Sequence, residues 1–327
     1  MRARLLDLAL EGPIVGSFSR IGYDVRRATD SWTSLDDYDL SGRTMVITGA
    51  TSGLGRAAAE QLARCGARLL VTGRTEDRTR DAAAAIADAA ERDHDAVIPV
   101  AADMGDLEQV RALADRIRSD VDRLDVVVHN AGALSAERRE APDGTEATVA
   151  SQVVGPFLLT SLLLDRLSAA APSRVLTMSS GGMYGAPLSV ASLEMSPETY
   201  NGTQQYALAK RAQVTLNEMW AERCGNLGVR FHSLHPGWAA TPGVADALPG
   251  FAKVVGPILR TPEQGADTLV WLAADDGEPL DTNGRFWGDR RSRSLHRTPM
   301  SRRSDTLERR TRLWRWVVER AGIDPLA

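Results

Sequence analysis

Short apolar runs alternate with longer amphipathic segments along most of this 327-residue chain. The apolar runs have the length of buried strands, and the segments between them have the periodicity of helices. Alternating strands and helices are typical of a parallel sheet covered on both faces, so the pattern predicts a doubly wound α/β fold. The predicted strands are 45–48, 68–72, 96–100, 124–128, 174–178 and 229–234, and the predicted helices are about 53–64, 77–91, 106–119, 145–169 and 206–224.

The pattern predicts a single domain, residues 41–290, with an extension at each end. Residues 1–40 are polar and show little periodicity, so we expect them to pack loosely on the domain or against a partner. Residues 291–327 form a basic tail. Between Arg285 and Arg320 the chain has twelve arginines and four acidic residues, which gives a local net charge of +8.

The tail has the pattern of a helix with one apolar face, and Asp305 and Glu308 have the spacing of a capping pair at its start. One interpretation is a basic amphipathic helix that contacts an anionic partner or a membrane surface. The interpretation that we favour is a C-terminal helix that packs on its own domain, with its arginines in solvent. The predicted apolar face consists of Leu307, Thr311, Trp314, Val317 and Ala321.

An apolar content of 43% and a net charge of −4 describe a globular protein with a sizeable core. We expect no nucleic-acid partner. Cys65 and Cys224 lack metal-ligand spacing, so we expect free thiols, a reducing compartment and no bound metal. No segment looks long and apolar enough to span a bilayer. Asp7 and Glu11 interrupt any signal-peptide core, so we expect a cytoplasmic protein.

A glycine-rich turn follows the first predicted strand and precedes a helix. Glycines at such a turn let the backbone bend tightly and approach a pyrophosphate at the helix N-terminus, as in Rossmann-type folds. The spacing is G-x-x-x-G-x-G rather than the usual G-x-G-x-x-G, and by itself it also fits an ordinary strand-to-helix turn. The candidate dinucleotide-binding residues here are Gly49, Thr51, Ser52, Gly53, Leu54 and Gly55.

Tyr206 and Lys210 are four residues apart and therefore share one helix face. A phenol has a reference pKa near ~10, and we expect a neighbouring ammonium to lower it enough for acid-base catalysis. Only two of the 39 basic residues are lysines, so Lys210 in this place indicates a specific need for an ammonium.

Together with the glycine turn, the segments Ser179-Ser180, Tyr206-Ala-Leu-Ala-Lys210 and His235-Pro-Gly-Trp238 resemble the short-chain dehydrogenase/reductase family in its single-domain form. The resemblance covers about residues 42–290. The segments 179–183, 235–243 and 264–267 look closest to the branch of the family called dehydrogenase/reductase member 12.

The resemblance implies that Tyr206 donates or accepts the proton, that Lys210 activates it and binds a ribose, and that Ser180 positions the carbonyl. Ser179 remains the alternative for the last role.

The family has an asparagine where this chain has Gln152, and the backbone carbonyl of that asparagine helps to hold a water linked to the lysine. Pro156 lacks the N–H that would bond to the Gln152 carbonyl, so we hypothesise that Pro156 frees this carbonyl and preserves the water site.

The expected cofactor is NADP(H) in preference to NAD(H). Gly73 stands where an acid would hold an adenosine ribose 2′-OH, and Arg74 follows with a charge that attracts a 2′-phosphate. His129 replaces the first asparagine of the family's N-N-A-G segment, and we expect it to be a structural hydrogen bonder. Further cofactor contacts implied by the resemblance are Asp103, Asn130, Ala131, Gly132, Pro236, Gly237 and Thr241.

We therefore expect an NADP(H)-dependent oxidoreductase that transfers hydride between the nicotinamide and a carbonyl or secondary alcohol. Apolar residues after two strands suggest a lipophilic substrate, although they could equally pack in the core. One alternative is a sugar-nucleotide epimerase or dehydratase, and another is a non-catalytic NADP-binding sensor or scaffold. The resemblance also makes a homo-oligomer possible. The apolar residues are Met183, Tyr184, Trp238, Leu248 and Phe251.

Overall fold

A computed structural model describes residues 2–243, 250, 253 and 255–326 of the chain. Within these residues, eight strands form one sheet in the order β3-β2-β1-β4-β5-β6-β7-β8. Strands β1 to β7 are parallel to their neighbours, and only β8 is antiparallel. The strands are β1 (Thr44–Ile47), β2 (Arg68–Gly73), β3 (Val97–Ala101), β4 (Val126–His129), β5 (Ser173–Met178), β6 (Val229–Leu234), β7 (Arg285–Gly288) and β8 (Arg291–Arg293).

Helices cover both faces of this sheet, which confirms the predicted doubly wound α/β fold. The pattern of the sequence did not reveal β7 and β8, and the antiparallel β8 makes the sheet mostly rather than wholly parallel. The helices are α1 (Arg2–Glu11), α2 (Ile14–Phe18), α3 (Arg20–Thr29), α4 (Gly53–Arg64), α5 (Glu76–Ala89), α6 (Leu107–Asp120), α7 (Ala147–Val149), α8 (Gly155–Ala169), α9 (Gly202–Cys224), α10 (Pro262–Ala274), α11 (Glu278–Asp281), α12 (Pro299–Ser304) and α13 (Leu307–Ala321).

The order of the strands reverses between β1 and β4, which are neighbours in the sheet although β2 and β3 lie between them in the chain. Ligands of open α/β sheets bind outside the carboxyl ends of the strands at such a reversal. The glycine turn follows β1 and the Asn130-Ala131-Gly132 segment follows β4, so the fold brings these two segments together at that point.

The long predicted helix 145–169 is interrupted. A π-helical turn (Ala150–Val154) separates α7 from α8. Among the described helices, the stretch 147–169 is long and apolar enough to cross a membrane, so our expectation that no segment meets that criterion was wrong. Most of this stretch is buried inside the protein, as in the core helix of a globular domain.

The N-terminal extension does not pack loosely, and that expectation was wrong. Its helices α1 to α3 lie against the segment that surrounds β7 and β8. Arg26 is only 1% exposed and forms ion pairs with Asp7 and Asp289, at 2.7 and 2.6 Å. Tyr23 donates a hydrogen bond to Asp267 of α10.

The C-terminal helix α13 packs on its own domain, as we favoured. Trp314 and Val317 are buried among side chains of α8 and α9. Two details of the prediction were wrong: Leu307 is 81% exposed, and the N-cap is Thr306, whose hydroxyl accepts a hydrogen bond from the Arg309 amide. Asp305 instead pairs with Arg310, so this arginine is bonded rather than free in solvent.

Candidate active site

The register of the sheet aligns the ends of β5 and β6. Met178 lies beside Leu234, the last residue of β6, and the Ser179 amide donates a hydrogen bond to the Leu234 carbonyl. Ser180 and Pro236 therefore leave the sheet at the same edge. Both are partly exposed there, at the carboxyl ends of the strands.

Ser180, rather than Ser179, reaches the candidate catalytic tyrosine. The Ser180 hydroxyl lies within hydrogen-bonding reach of the Tyr206 phenol, and its oxygen accepts a hydrogen bond from the Gly182 amide. Ser179 is buried, and its hydroxyl donates to the backbone carbonyl of Lys210 at 3.5 Å. This arrangement supports the choice of Ser180 for the substrate-positioning role.

Burial dominates the ionisation of Tyr206. It raises the pKa of the phenol to about 12, and the Ser180 hydrogen bond acts in the opposite direction with a smaller effect. The net shift is therefore upward, although we expected Lys210 to lower this pKa. The Lys210 nitrogen lies 5.3 Å from the centre of the Tyr206 ring and directs its hydrogen bonds elsewhere. Tyr206 is therefore protonated at neutral pH.

Lys210 is buried and donates hydrogen bonds from Nζ to the Met178 carbonyl at 2.9 Å and to Gln213 Oε1 at 3.1 Å. Burial lowers the pKa of its ammonium to about 7. A lysine close to its titration point responds strongly to any group that approaches it. Gln213 lies three residues further along α9, and its contact with Lys210 was not anticipated from the sequence.

Gln152 lies inside the π-helical turn and is fully buried. Its Nε2 donates to the Ala133 carbonyl at 2.8 Å, so the side chain ties this turn to the segment after β4. A Cβ on Gly132 would lie 2.9 Å from the Gln152 side chain, which explains the glycine there. The backbone at Gln152 is thus distorted from a regular α-helix, and the catalytic role of Gln152 remains a prediction.

A cavity of about 30 Å³ lies beside Gln213. Pro156 and Gln213 line it, together with His129 and Asn217. Buried polar atoms without another protein partner belong to three of these side chains, namely Gln213 Nε2, Asn217 Nδ2 and His129 Nδ1. A cavity of this size, with these three polar atoms in its wall, has room for one water molecule.

His129 has the structural role that we expected. It is buried, its Nε2 lies 2.7 Å from the Thr160 hydroxyl, and burial lowers the pKa of its imidazole to about 3. The ring is therefore neutral at any physiological pH.

The glycine turn packs closely on the segment after β4. A Cβ on Gly49 would lie 2.7 Å from Cα of Ala131, and one on Gly55 would lie 2.3 Å from Nδ2 of Asn130. Asn130 in turn donates to the Thr48 and Gly49 carbonyls at 3.0 Å. The two segments form one unit, and only glycine fits at these two positions.

The turn has the features of a pyrophosphate site. Gly53 begins α4 with a φ of +57°, a conformation that favours glycine, and it faces Thr241. Ser52 occupies the N-cap position of α4 but makes no side-chain capping bond. The first amides of α4 can therefore donate to an anion, and the helix dipole favours its negative charge. The residues present fit a dinucleotide.

The adenosine end of the predicted site lies after β2 and β3. Arg74 is exposed directly after β2. A Cβ on Gly73 would lie 2.4 Å from Thr51 Cγ2, so the close approach of Thr51 leaves no room for an acidic side chain at position 73. Asp103 follows β3, and its Oδ1 accepts a hydrogen bond from the Gly105 amide, which shapes that turn.

Two of the apolar residues assigned to the substrate region pack in the core. Met183 and Tyr184 are both buried, in a small cluster with Phe18 and Phe286. Trp238 remains partly exposed beside the site. Leu248 and Phe251 lie outside the described residues.

Sequence reasoning missed a group of residues around the turn after β6. Phe18 from α2, Arg260 and Asp289 all contact that turn or its supports. No local motif marks them, because they come together from three distant parts of the chain.

The short chain dehydrogenase family matches residues 43–249. The chain belongs to this family. Relatives extend over most of the sequence: human dehydrogenase/reductase SDR family member 12 is 35% identical over 260 residues, 80% of each chain. Bovine retinol dehydrogenase 12 is 31% identical over 290 residues, which cover 88% of this chain and 89% of the relative.

Solved structures agree with the fold. A protein from Mycobacterium paratuberculosis superposes with a TM-score of 0.69 at 25% identity, over 90% of this chain and 98% of that one. A protein from Escherichia coli CFT073, solved in complex with NADPH, superposes with a TM-score of 0.63 at 25% identity, over 79% of this chain and 100% of its own. The protein is thus an oxidoreductase of the type that acts on CH–OH and C=O groups, and its resemblance to the member 12 branch is confirmed.

Proposed function

We propose that this protein is an NADPH-dependent reductase of a lipophilic ketone or aldehyde. The observation that carries the proposal is the contact between Ser180 and Tyr206 at the carboxyl edge of the sheet, beside the buried Lys210. A carbonyl oxygen placed between the two hydroxyls would receive a hydrogen bond from each.

The chain supplies the acid-base part of the reaction. The phenol of Tyr206 is protonated at neutral pH, since its pKa is about 12, and this is the form that donates a proton to a carbonyl oxygen. Ser180 orients the carbonyl towards the phenol. The hydride itself is what a bound nicotinamide cofactor supplies. Lys210 lies behind the phenol, where a positive charge would stabilise the phenolate left after proton transfer.

Three features support NADP(H) over NAD(H). Arg74 is exposed at the end of β2, where its guanidinium can bind a ribose 2′-phosphate. Gly73 leaves no space for an acid that would repel this phosphate. The similar Escherichia coli structure contains NADPH. The candidate dinucleotide site thus pairs the anion-binding start of α4 with a cation at the adenosine end.

Two observations support a lipophilic substrate. Trp238 is partly exposed next to Pro236, and one relative is a retinol dehydrogenase, whose name denotes a lipophilic alcohol. Neither Met183 nor Tyr184 contributes to this argument, because both are buried in the core.

The test is a fluorescence titration with NADPH and NADH, followed by turnover against a panel of aliphatic, aromatic and isoprenoid carbonyls. The wild-type protein and Tyr206→Phe are compared. We expect both to bind NADPH more tightly than NADH, and only the wild type to turn over. Binding of NADPH without turnover by the wild type on any carbonyl would instead support the non-catalytic sensor or scaffold.

A further inference from the structure

The N-terminal extension contacts the turn that follows β6. The carbonyl of Phe18 accepts a hydrogen bond from the Trp238 amide at 2.7 Å, and the Phe18 ring stacks on Trp238 with centroids 5.8 Å apart. The same ring reaches the turn after β5, since a Cβ on Gly181 would lie 2.2 Å from it. Phe18 therefore touches both turns that flank the candidate catalytic groups.

Arg260 packs against the turn after β6. Its guanidinium donates to the Pro236 carbonyl at 3.2 Å, and a Cβ on Gly237 would lie 2.4 Å from its Cζ. The same guanidinium donates to the carbonyls of Ser17 and Ser19, each at 3.3 Å. One side chain thus joins the turn to the N-terminal extension.

A buried carboxylate joins Arg260 to α3. Asp289 pairs with Arg260 at 2.6 Å and with Arg26 at 2.6 Å, and all three side chains are at most 2% exposed. Burial would raise the pKa of Asp289, but the two guanidinium groups outweigh it and hold the pKa below its usual value. Buried charges tolerate little displacement, because separating them leaves each one without compensation. The cluster therefore has one well-defined geometry.

We propose that the N-terminal extension is a positioning element of the active site, and that Arg260 transmits its position to the Pro236–Trp238 turn. This inference rests on the proposed function in one respect: it takes the turn to face the nicotinamide end of the cofactor. The cluster is part of no motif that defines the family resemblance. In this protein the extension therefore sets the shape of the cofactor site rather than serving as an appendage.

A purely structural cluster would also be buried and paired, so a loss of stability alone does not test the proposal. The chain offers a matched control in Arg174. It is equally buried and donates to the carbonyls of Ala273 and Asp275 and to the Asp276 carboxylate, each at 2.7 Å. It lies near the amino end of β5, at the opposite edge of the sheet from the site.

The experiment compares the full-length variants Arg260→Lys and Arg174→Lys. Lysine keeps the charge but cannot form the forked contacts of a guanidinium. Three quantities are measured: the thermal midpoint, the hydrogen exchange of the Trp238 and Ala240 amides, and the dissociation constant for NADPH. The Trp238 amide reports the contact with Phe18, and the Ala240 amide reports the contact with the Arg260 carbonyl.

We expect Arg260→Lys to accelerate exchange of both amides and to weaken NADPH binding, each by about tenfold or more. Arg174→Lys should lower the thermal midpoint as much as Arg260→Lys does, but it should change neither the amide exchange nor the NADPH affinity. Equal loss of stability in both variants, with unchanged exchange and NADPH affinity, would overturn the proposal. If Arg260→Lys does not fold, the same three quantities are measured for Phe18→Ala, and the same outcomes support or overturn the proposal. If the wild type binds no dinucleotide, the proposed function fails, and amide exchange still decides the inference.

Discussion

Lys210 Nζ lies 3.1 Å from Gln213 Oε1, three residues further along α9. This hydrogen bond and the one to the Met178 carbonyl occupy the ammonium, and Nζ lies 5.3 Å from the centre of the Tyr206 ring. Burial lowers the pKa of Lys210 to about 7, so the charge of this group is held at a cost to stability.

Replacing Lys210 by methionine should therefore stabilise the protein at low pH. Below pH 7 the lysine is protonated in both folded and unfolded states, and the wild type bears the full cost of burying the charge. That cost is up to about 5 kcal/mol, since one pKa unit corresponds to about 1.4 kcal/mol, and the two hydrogen bonds offset part of it.

As the pH rises from about 7 towards 10.5, the folded state loses this proton while the unfolded state keeps it. The wild type therefore gains stability over this range, and the advantage of Lys210→Met should shrink. Urea unfolding at pH 6, 8 and 10 measures the difference, with Lys253→Met as the exposed control. If Lys210→Met is less stable than the wild type at pH 6, burial of the Lys210 charge does not destabilise the folded protein.

The two serines at the end of β5 should differ in their effect on turnover. Ser180→Ala removes a hydroxyl that contacts Tyr206, so we expect kcat to fall by roughly 10²–10³. Ser179→Ala removes a buried hydroxyl bonded to the Lys210 backbone and should mainly affect stability. Steady-state kinetics with NADPH and the best carbonyl of the panel measure both. A larger loss of kcat in Ser179→Ala would reverse the assignment.

The parts of the fold that the sequence predicted are those fixed by local pattern. The glycine turn, the strand ends and the Tyr206–Lys210 pair each lie within a few residues of chain, where hydrophobic period and spacing carry the information. The parallel pairing of β5 with β6 then places both strand ends at one edge of the sheet, where Ser180 and Pro236 follow them.

The N-terminal helices could not be recognised in the same way. The buried face of α3 consists of Gly22, Tyr23 and Arg26, so burial does not appear as an apolar period. Arg26 is inside only because Asp7 and Asp289 compensate its charge, and Asp289 lies 263 residues away in the chain. Strand β8 has the sequence Arg-Ser-Arg and contains no apolar residue, so a hydrophobic pattern cannot predict it.

Arg74 should determine the preference for NADPH. Arg74→Ala removes the cation that we assign to the 2′-phosphate, so the dissociation constant for NADPH should rise about tenfold while that for NADH stays unchanged. Arg78→Ala, another exposed arginine four residues further on, serves as the matched control for net charge. Equal weakening of both cofactors by Arg74→Ala, or equal effects of the two variants, would remove Arg74 from the site.

Pro156 should matter for turnover rather than for binding. Pro156→Ala restores a backbone N–H that can bond to the Gln152 carbonyl and convert the π-helical turn towards a regular helix. Because Pro156 also lines the cavity beside Gln213, we expect a lower kcat with unchanged NADPH affinity. Pro262→Ala, at the first position of α10, is the control for a helix-start proline elsewhere. Unchanged kinetics in Pro156→Ala would refute the hypothesis that Pro156 frees the Gln152 carbonyl and so preserves the water site.

The C-terminal helix should be required for the stability of the whole domain. Trp314 is buried between Phe157 and Trp220, with ring centroids 5.1 Å away in both cases, and Arg223 lies over its face. Truncation of such a side chain leaves a cavity that typically costs about 3–5 kcal/mol. We therefore expect Trp314→Ala to lower the free energy of unfolding by this amount.

Trp316→Ala is the control within the same helix, because that ring is only partly buried and should cost much less. Urea unfolding followed by circular dichroism measures both variants. If Trp314→Ala unfolds at the wild-type urea concentration, α13 does not contribute to the core in solution. Its arginines would then be available to an anionic partner or membrane surface, which is the interpretation that the packing of Trp314 now disfavours.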